Sequence, residues 1–345
     1  MSRIINKALF YKEWINVKWV TMVTIITLLF YKGYGVITLL NQNNEMIRRL
    51  GKIPSNRWFN NGLHMQDDYF FIMILIVIIL SIVLFIVDKS SGNQGFIAAM
   101  PFTRKEIILN KWMAGVISLL ISFVVTYVFL SLFYVLNISG MYRALNPYSD
   151  IVRWVLMNMA QSICIFTFMV LAQTVMGNSV VSGIVAGIML IVPYFITWSI
   201  QNVLLRYFGF VQSIRIRLDS IRYWLNVYQY NLAYTSNVNI NDNYNPYYYT
   251  NYKLKLLVLF ILTCLFLYLA YISFKKKDLE YNLKLFVFKN LEPVFMCVFA
   301  ICTGFLVGLI FGEYSLMAFW VYVITFIIVG YFVAKQLVKV LSSRK

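Results

Sequence analysis

Residues 70–87 read FFIMILIVIILSIVLFIV, a continuous apolar stretch with no charged side chain and with Ser81 as its one polar residue. A helix crosses the hydrocarbon core with about 20 mostly apolar residues, because lipid offers no partner for a backbone N–H or C=O and each must bond within the segment. The same test, worked outward in both directions, gives eight runs at roughly 19–40, 69–87, 113–136, 154–176, 180–200, 256–274, 294–311 and 315–334. The strands of a membrane barrel are short and alternate apolar with polar residues; these runs do neither. The expected fold is an all-α integral membrane protein with about eight transmembrane helices.

Composition points the same way. The 345 residues are 61% hydrophobic and 12% charged, whereas a soluble domain carries about a quarter charged residues. The net charge of +17 would suggest nucleic acid in a soluble protein, but the Lys and Arg residues are scattered between apolar runs and gathered into no basic domain. They suit the cytoplasmic flanks of spans and the headgroups of membrane lipids, so no nucleic-acid partner is expected. Cys164, Cys264, Cys297 and Cys302 all lie inside apolar runs without CxxC spacing, which fits packing residues better than a disulfide framework or a metal site. The opening MSRIINKALFYKEW is interrupted by charge and does not read as a secretory signal.

Eight spans place both termini on one side. With the termini cytoplasmic, the inside segments hold 17 of the 30 Lys and Arg residues although they are shorter in total than the outside segments. The abundance of Asn, Ile, Lys and Tyr points to an AT-rich bacterial genome, hence a bacterial plasma membrane, and the positive-inside bias predicts a multi-pass membrane protein with both termini cytoplasmic. Its parts are a cytoplasmic interfacial helix at 1–18, a transmembrane domain at 19–334 and a cytoplasmic tail at 335–345. Lys32 lies inside the first run and is expected to snorkel toward a headgroup.

In the interfacial helix, Ile4, Ile5, Ala8, Leu9 and Ile15 are expected on the membrane side, with Arg3, Lys7 and Glu13 polar and Trp14 at the interface. The cytoplasmic loop 88–112 contains Pro101-Phe102-Thr103 and then RKEIILNKW. Thr103 with Glu106 three residues on is a capping-box pattern, so a short helix is predicted across the cytoplasmic face, with Phe102, Ile107 and Ile108 as apolar contacts. In the outside loop 201–255, residues 212–225 put Ile214, Leu218, Ile221 and Leu225 on one face and Arg215, Asp219 and Arg222 opposite, which reads as an interfacial helix. The Asn/Tyr-rich stretch NVNINDNYNPYYYTNY at 237–252 is read as a shielding loop or a recognition loop. The basic and apolar stretch 274–295 suits anionic headgroups and a return into the interface.

No catalytic constellation and no metal-ligand cluster is visible, and no GxxxxGK[ST] phosphate loop occurs. His64, the only histidine, reads as a surface residue. Buried acids are scarce, with Asp88 and Glu292 at span ends, which argues for energy supplied from outside the membrane. Gly304 and Gly308, and likewise Gly183 and Gly187, stand four apart; small residues at that spacing let helices approach closely, within one chain or between two. Asn158, Ser162 and Gln173 share a face of the fourth run and are read as hydrogen-bonding links between helices or as the lining of a path.

Met100–Trp112, MPFTRKEIILNKW, resembles a recurrent stretch of the permeases of type-2 ABC exporters, "(L/M)P-(F/V/I)-(T/S)-R-x-E-(I/L)", with Pro101, Thr103, Arg104, Glu106 and Ile107 matching. FKKKDLEYN and VFKNLEPVF within 274–295 look like a stretch from a Gram-positive branch of that family linked to peptide export and envelope stress. Six spans are usual there, against eight here. The resemblance implies a permease subunit that binds no cofactor itself and is not an enzyme. ATP and Mg would sit in separate ABC ATPase subunits, and a second permease copy or a sister permease would complete the assembly. Phe102, Thr103, Arg104, Lys105, Glu106 and Ile107 would form the coupling helix seated on an ATPase, braced by the N-terminal helix. The implied cargo is an amphipathic or membrane-active peptide or a lipid-like molecule moved outward. The alternative is a non-transport membrane partner in envelope-stress signalling or assembly that docks the same ATPase.

Overall fold

A computed structural model describes residues 6–51, 58–64, 69–89, 102–141, 143, 146–209, 212–235, 247–276, 287, 290–312 and 315–343. The helices are α1 (Lys7–Leu28), α2 (Tyr34–Leu50), α3 (Trp58–His64), α4 (Tyr69–Lys89), α5 (Arg104–Leu136), α6 (Ser149–Val175), α7 (Ser179–Phe208), α8 (Gln212–Leu225), α9 (Tyr252–Lys276), α10 (Leu291–Phe311) and α11 (Leu316–Ser343). A two-residue antiparallel pair joins β1 (Tyr234–Thr235) to β2 (Tyr247–Tyr248). Among the described residues, eight helical runs are long and apolar enough to cross a membrane, as the eight apolar stretches predict.

The first departure is at the N-terminus. α1 and α2 are joined by a π-helical turn, Leu29–Gly33, into one run from Lys7 to Leu50. No break separates residues 7–18 from the span, because the sequence there holds neither Gly nor Pro to stop a helix. Asn6 caps the start, its Oδ1 accepting from the Ala8 N–H at 3.0 Å.

The chain divides into two compact units. One comprises Met1–Leu84, Phe102–Val170 and Tyr228–Tyr268; the other comprises Phe85–Pro101, Leu171–Val227 and Leu269–Lys345.

In the first unit, α1 and α5 run parallel, since Glu13 meets Lys111 and Thr21 meets Ser118 farther along. The starts of α1 and α5 therefore share one end of the unit. The starts of α6 and α9, together with α3, share the other. Gly62 of α3 packs on α2 so closely that a Cβ there would stand 3.0 Å from the Val36 Cα. Lys32, in the π-helical turn, is 3% exposed, its Nζ 4.4 Å from the centre of the Tyr69 ring and 5.9 Å from that of Trp154. It is held inside by aromatic faces and does not snorkel, since a ring's negative face substitutes for part of the water a cation loses.

In the second unit, α10 and α11 form a hairpin with Phe319 and Val323 buried between them. Arg206 of α7 donates to the Leu309 carbonyl at 2.9 Å, and Tyr207 donates to the Gly312 carbonyl. α8 carries the predicted ion pairs, Arg222 to Asp219 at 2.7 Å and Arg215 to Asp219 at 3.7 Å. Ile214, Ile221 and Leu225 of α8 are exposed. Most of the predicted return into the interface at 274–295 lies outside the described residues; within it, the Val287 N–H bonds the Val175 carbonyl at 2.9 Å.

Candidate functional site

The Thr103-x-x-Glu106 pattern forms a complete capping box. Thr103 is extended at the N-cap position (φ −73°, ψ 150°). Its Oγ1 accepts from the Glu106 N–H at 3.3 Å, and Glu106 Oε2 accepts from the Thr103 N–H at 2.8 Å. Two backbone donors that a helix start leaves without partners are thereby satisfied. The box fixes where α5 begins, and so puts Arg104 and Lys105 on the exposed first turn. Positive charge at this end of a helix opposes the macrodipole by some tenths of a kcal/mol. Local helix stability therefore does not account for this basic pair.

Beyond the capping box, the expected short helix is corrected. α5 runs unbroken for 33 residues, because nothing in RKEIILNKWMA stops it. Ile107 and Ile108 are buried and already committed to packing within the chain, which removes both from the predicted outward contacts. Phe102 is half-buried, and Thr103, Arg104 and Lys105 are exposed. The stretch before them, with Gly92, Gly95 and Pro101, lies outside the described residues.

Two turns into α5, Lys111 draws three helices together. Its Nζ donates to Glu13 Oε1 of α1 at 2.9 Å and to the Leu84 carbonyl of α4 at 2.5 Å. Glu13 and Lys111 have side-chain exposures of 0% and 1%. Lys12 Nζ adds a longer contact to the same carboxylate, 3.6 Å, and among the described residues Glu13 Oε2 is buried without a hydrogen-bond partner. The expectation that Glu13 faces outward is thus overturned. The buried stripe of α1 is Leu9, Glu13, Val17, Val20, Thr21, Thr24 and Leu28, while Ala8 and Ile15 are exposed. The 9–13–17 spacing is a legible sign of this, but polarity points the other way; a carboxylate tolerates burial when a cation and its own hydrogen bonds go with it. Lys7 is exposed, Trp14 is half-buried and stacks on Phe10 at 6.4 Å between centroids, and Arg3 lies outside the described residues.

At the other end of the first unit, Asn158 accepts from Tyr69 at 3.3 Å and from Asn231 at 3.0 Å. Gln161, which no motif marks in the sequence, donates to the Tyr228 carbonyl. Tyr228 and Tyr230, ahead of the Asn/Tyr-rich stretch, are buried, with Tyr228 stacked on Phe70 at 5.7 Å; residues 237–246 of that stretch lie outside the described residues. In the second unit, Gln173 accepts from Lys89 at 2.8 Å and donates to the Ser179 carbonyl at 2.9 Å. Asn158 and Gln173 therefore link segments of the chain. Gly304 and Gly308 face α11: a Cβ on the first would stand 2.6 Å from Ile327 Cγ1, and on the second 2.5 Å from Val323 Cγ2. Gly183 is buried and Gly187 half-buried on α7.

No curated protein and no solved structure matches the chain. The family described as "ABC-2 family transporter protein" matches it over residues 8–279, from the first turn of α1 to just past α9, a span that takes in the capped start of α5 and the Glu13–Lys111 pair and leaves out α10 and α11. With most of its length matched and eight helices of membrane-crossing length, the chain belongs to the ABC-2 transporter family as its multi-pass, membrane-spanning permease component.

Proposed function

We propose that this permease is one of the two permeases that make up the membrane part of an ATP-driven exporter, moving amphipathic, membrane-active peptides or lipid-like molecules out of a bacterial cell. The family implies an ABC ATPase partner. Our reading seats that ATPase on Phe102, Thr103, Arg104 and Lys105, with the termini cytoplasmic and a second copy or a sister permease alongside. One observation carries it: an exposed basic pair at a capped helix start, backed by a buried ion pair that ties α1, α4 and α5 together. A push on the first turn of α5 reaches α1 and α4 through Lys111 without slack. Nucleotide-driven closure of the ATPases would then bias the spans between two arrangements, which is what alternating access requires. The cargo assignment rests on the Gram-positive resemblance at 274–295 and on the scarcity of intramembrane acids.

The test is co-purification from native membranes in mild detergent, comparing wild type with Arg104→Glu/Lys105→Glu. Acidic residues suit a helix N-terminus, so the double variant keeps α5 intact while reversing the docking charge. Wild type is expected to retain an ATPase and the variant to lose it at least about tenfold, the scale of a reversed interfacial charge. An Arg48→Glu control is expected to bind normally. A folded variant that retains the ATPase in full defeats the docking assignment, and a folded wild type that brings down no ATPase defeats the exporter reading.

A further inference from the structure

At the end of the first unit away from Lys7 and Arg104, α3, the start of α6 and the turn into α9 enclose a cavity of about 670 Å³. That volume falls within the range of small-molecule sites. Its wall carries more hydrogen-bond donors than acceptors. Arg153 and Lys253 bring positive charge, and Tyr249 and Tyr252 bring phenol hydroxyls. Burial raises the Tyr249 phenol well above its ordinary pKa, so it stays protonated and able to donate.

Asp150 is the one carboxylate among the described lining residues, and it is already engaged. It is 7% exposed, accepts from Asn60 Nδ2 at 2.6 Å and lies 4.0 Å from Arg153. One further atom asks for a ligand. The Tyr252 hydroxyl is buried without a hydrogen-bond partner among the described residues, an arrangement that costs free energy until something binds there. The rings form a wall: His64 stands edge-on to Tyr249 at 5.3 Å and Tyr249 lies 5.9 Å from Tyr252. Such a wall favours a flat or ring-bearing body over a bare ion.

We propose that this cavity binds an oxyanion, phosphate or carboxylate, carried on a ring-bearing molecule: Arg153 and Lys253 hold the charge, the Tyr252 hydroxyl donates, and the tyrosine rings hold the body. The site stands apart from ATPase docking and is measured on the permease alone, so its failure would leave the exporter reading untouched.

The full chain in phosphatidylcholine nanodiscs, in phosphate-free buffer, is titrated by equilibrium dialysis with phenyl phosphate, benzoate, phenol and inorganic phosphate. Phenyl phosphate or benzoate is expected to bind saturably and at least tenfold more tightly than phenol or inorganic phosphate. The better of the two identifies the oxyanion. Arg153→Gln/Lys253→Gln is expected to weaken that binding at least tenfold without changing phenol binding. Tyr252→Phe, which removes only a hydroxyl, is expected to weaken it severalfold. The proposal is overturned if both anions bind no better than phenol, if inorganic phosphate binds as well as either, or if the double variant, with an unchanged melting temperature, binds as wild type does.

Discussion

Lys111 and Glu13 show how one residue pair decides what a helix is for. An ion pair taken out of water recovers its desolvation cost only when hydrogen bonds complete it, and removing one partner leaves a buried charge that costs about 3–5 kcal/mol. Lys111→Met is therefore expected to lower the thermal midpoint of the detergent-solubilised permease sharply. Glu13→Gln/Lys111→Met is expected to recover most of that loss, because no charge is left stranded. A loss in the double variant equal to the sum of the separate Lys111→Met and Glu13→Gln losses would show that the pair is not coupled. If the pair also transmits force, the double variant keeps its stability and its ATPase but loses transport. The sequence shows Glu13 on the Leu9–Val17 stripe, but only the approach of Lys111 from a distant part of the chain makes an acid acceptable there.

Among the elements, α5 and the α10–α11 hairpin teach opposite lessons. The start of α5 is legible to the residue, since a capping box is a local device whose partners stand three positions apart. Its length is not, because a capping box marks where a helix starts and not where it ends, and nothing in RKEIILNKWMA stops one. In the hairpin, small residues at a spacing of four mark the contact but not the partner; α11 fills the space that Gly304 and Gly308 leave. Gly308→Leu forces a side chain into Val323 and Phe319, and overpacking of this kind costs about 1–3 kcal/mol. Since α10 and α11 lie beyond the segment matched to the family, the variant is expected to melt several degrees lower yet retain the ATPase. Lost retention at full stability would bring the hairpin into the coupling apparatus.

At the scale of the molecule, the first unit has two chemically distinct ends. One presents Lys7, Arg104 and Lys105; the other gathers Asn60, Asp150, Arg153 and Lys253 around a cavity. The orientation proposed for them is tested by cysteine labelling in a background with the native cysteines replaced by alanine. Lys253→Cys is expected to react with an impermeant maleimide in intact cells, and Lys105→Cys only after permeabilisation. The reverse pattern would invert the topology and move the ATPase to the other end.

The sequence alone determined that the described residues hold eight helices long and apolar enough to cross a membrane, because lipid imposes one rule on every backbone group and runs such as 70–87 obey it without reference to anything distant. It likewise determined the capped start of α5, and Met100–Trp112 resembles the family that the match over residues 8–279 shows. Only the tertiary structure decided that Glu13 and Lys32 face inward, that Tyr228 and Tyr230 of the long loop are buried, and that Asn60, Arg153 and Lys253 line one cavity. Those outcomes depend on partners tens to hundreds of positions away, and a polar group's cost of burial is set by what meets it there.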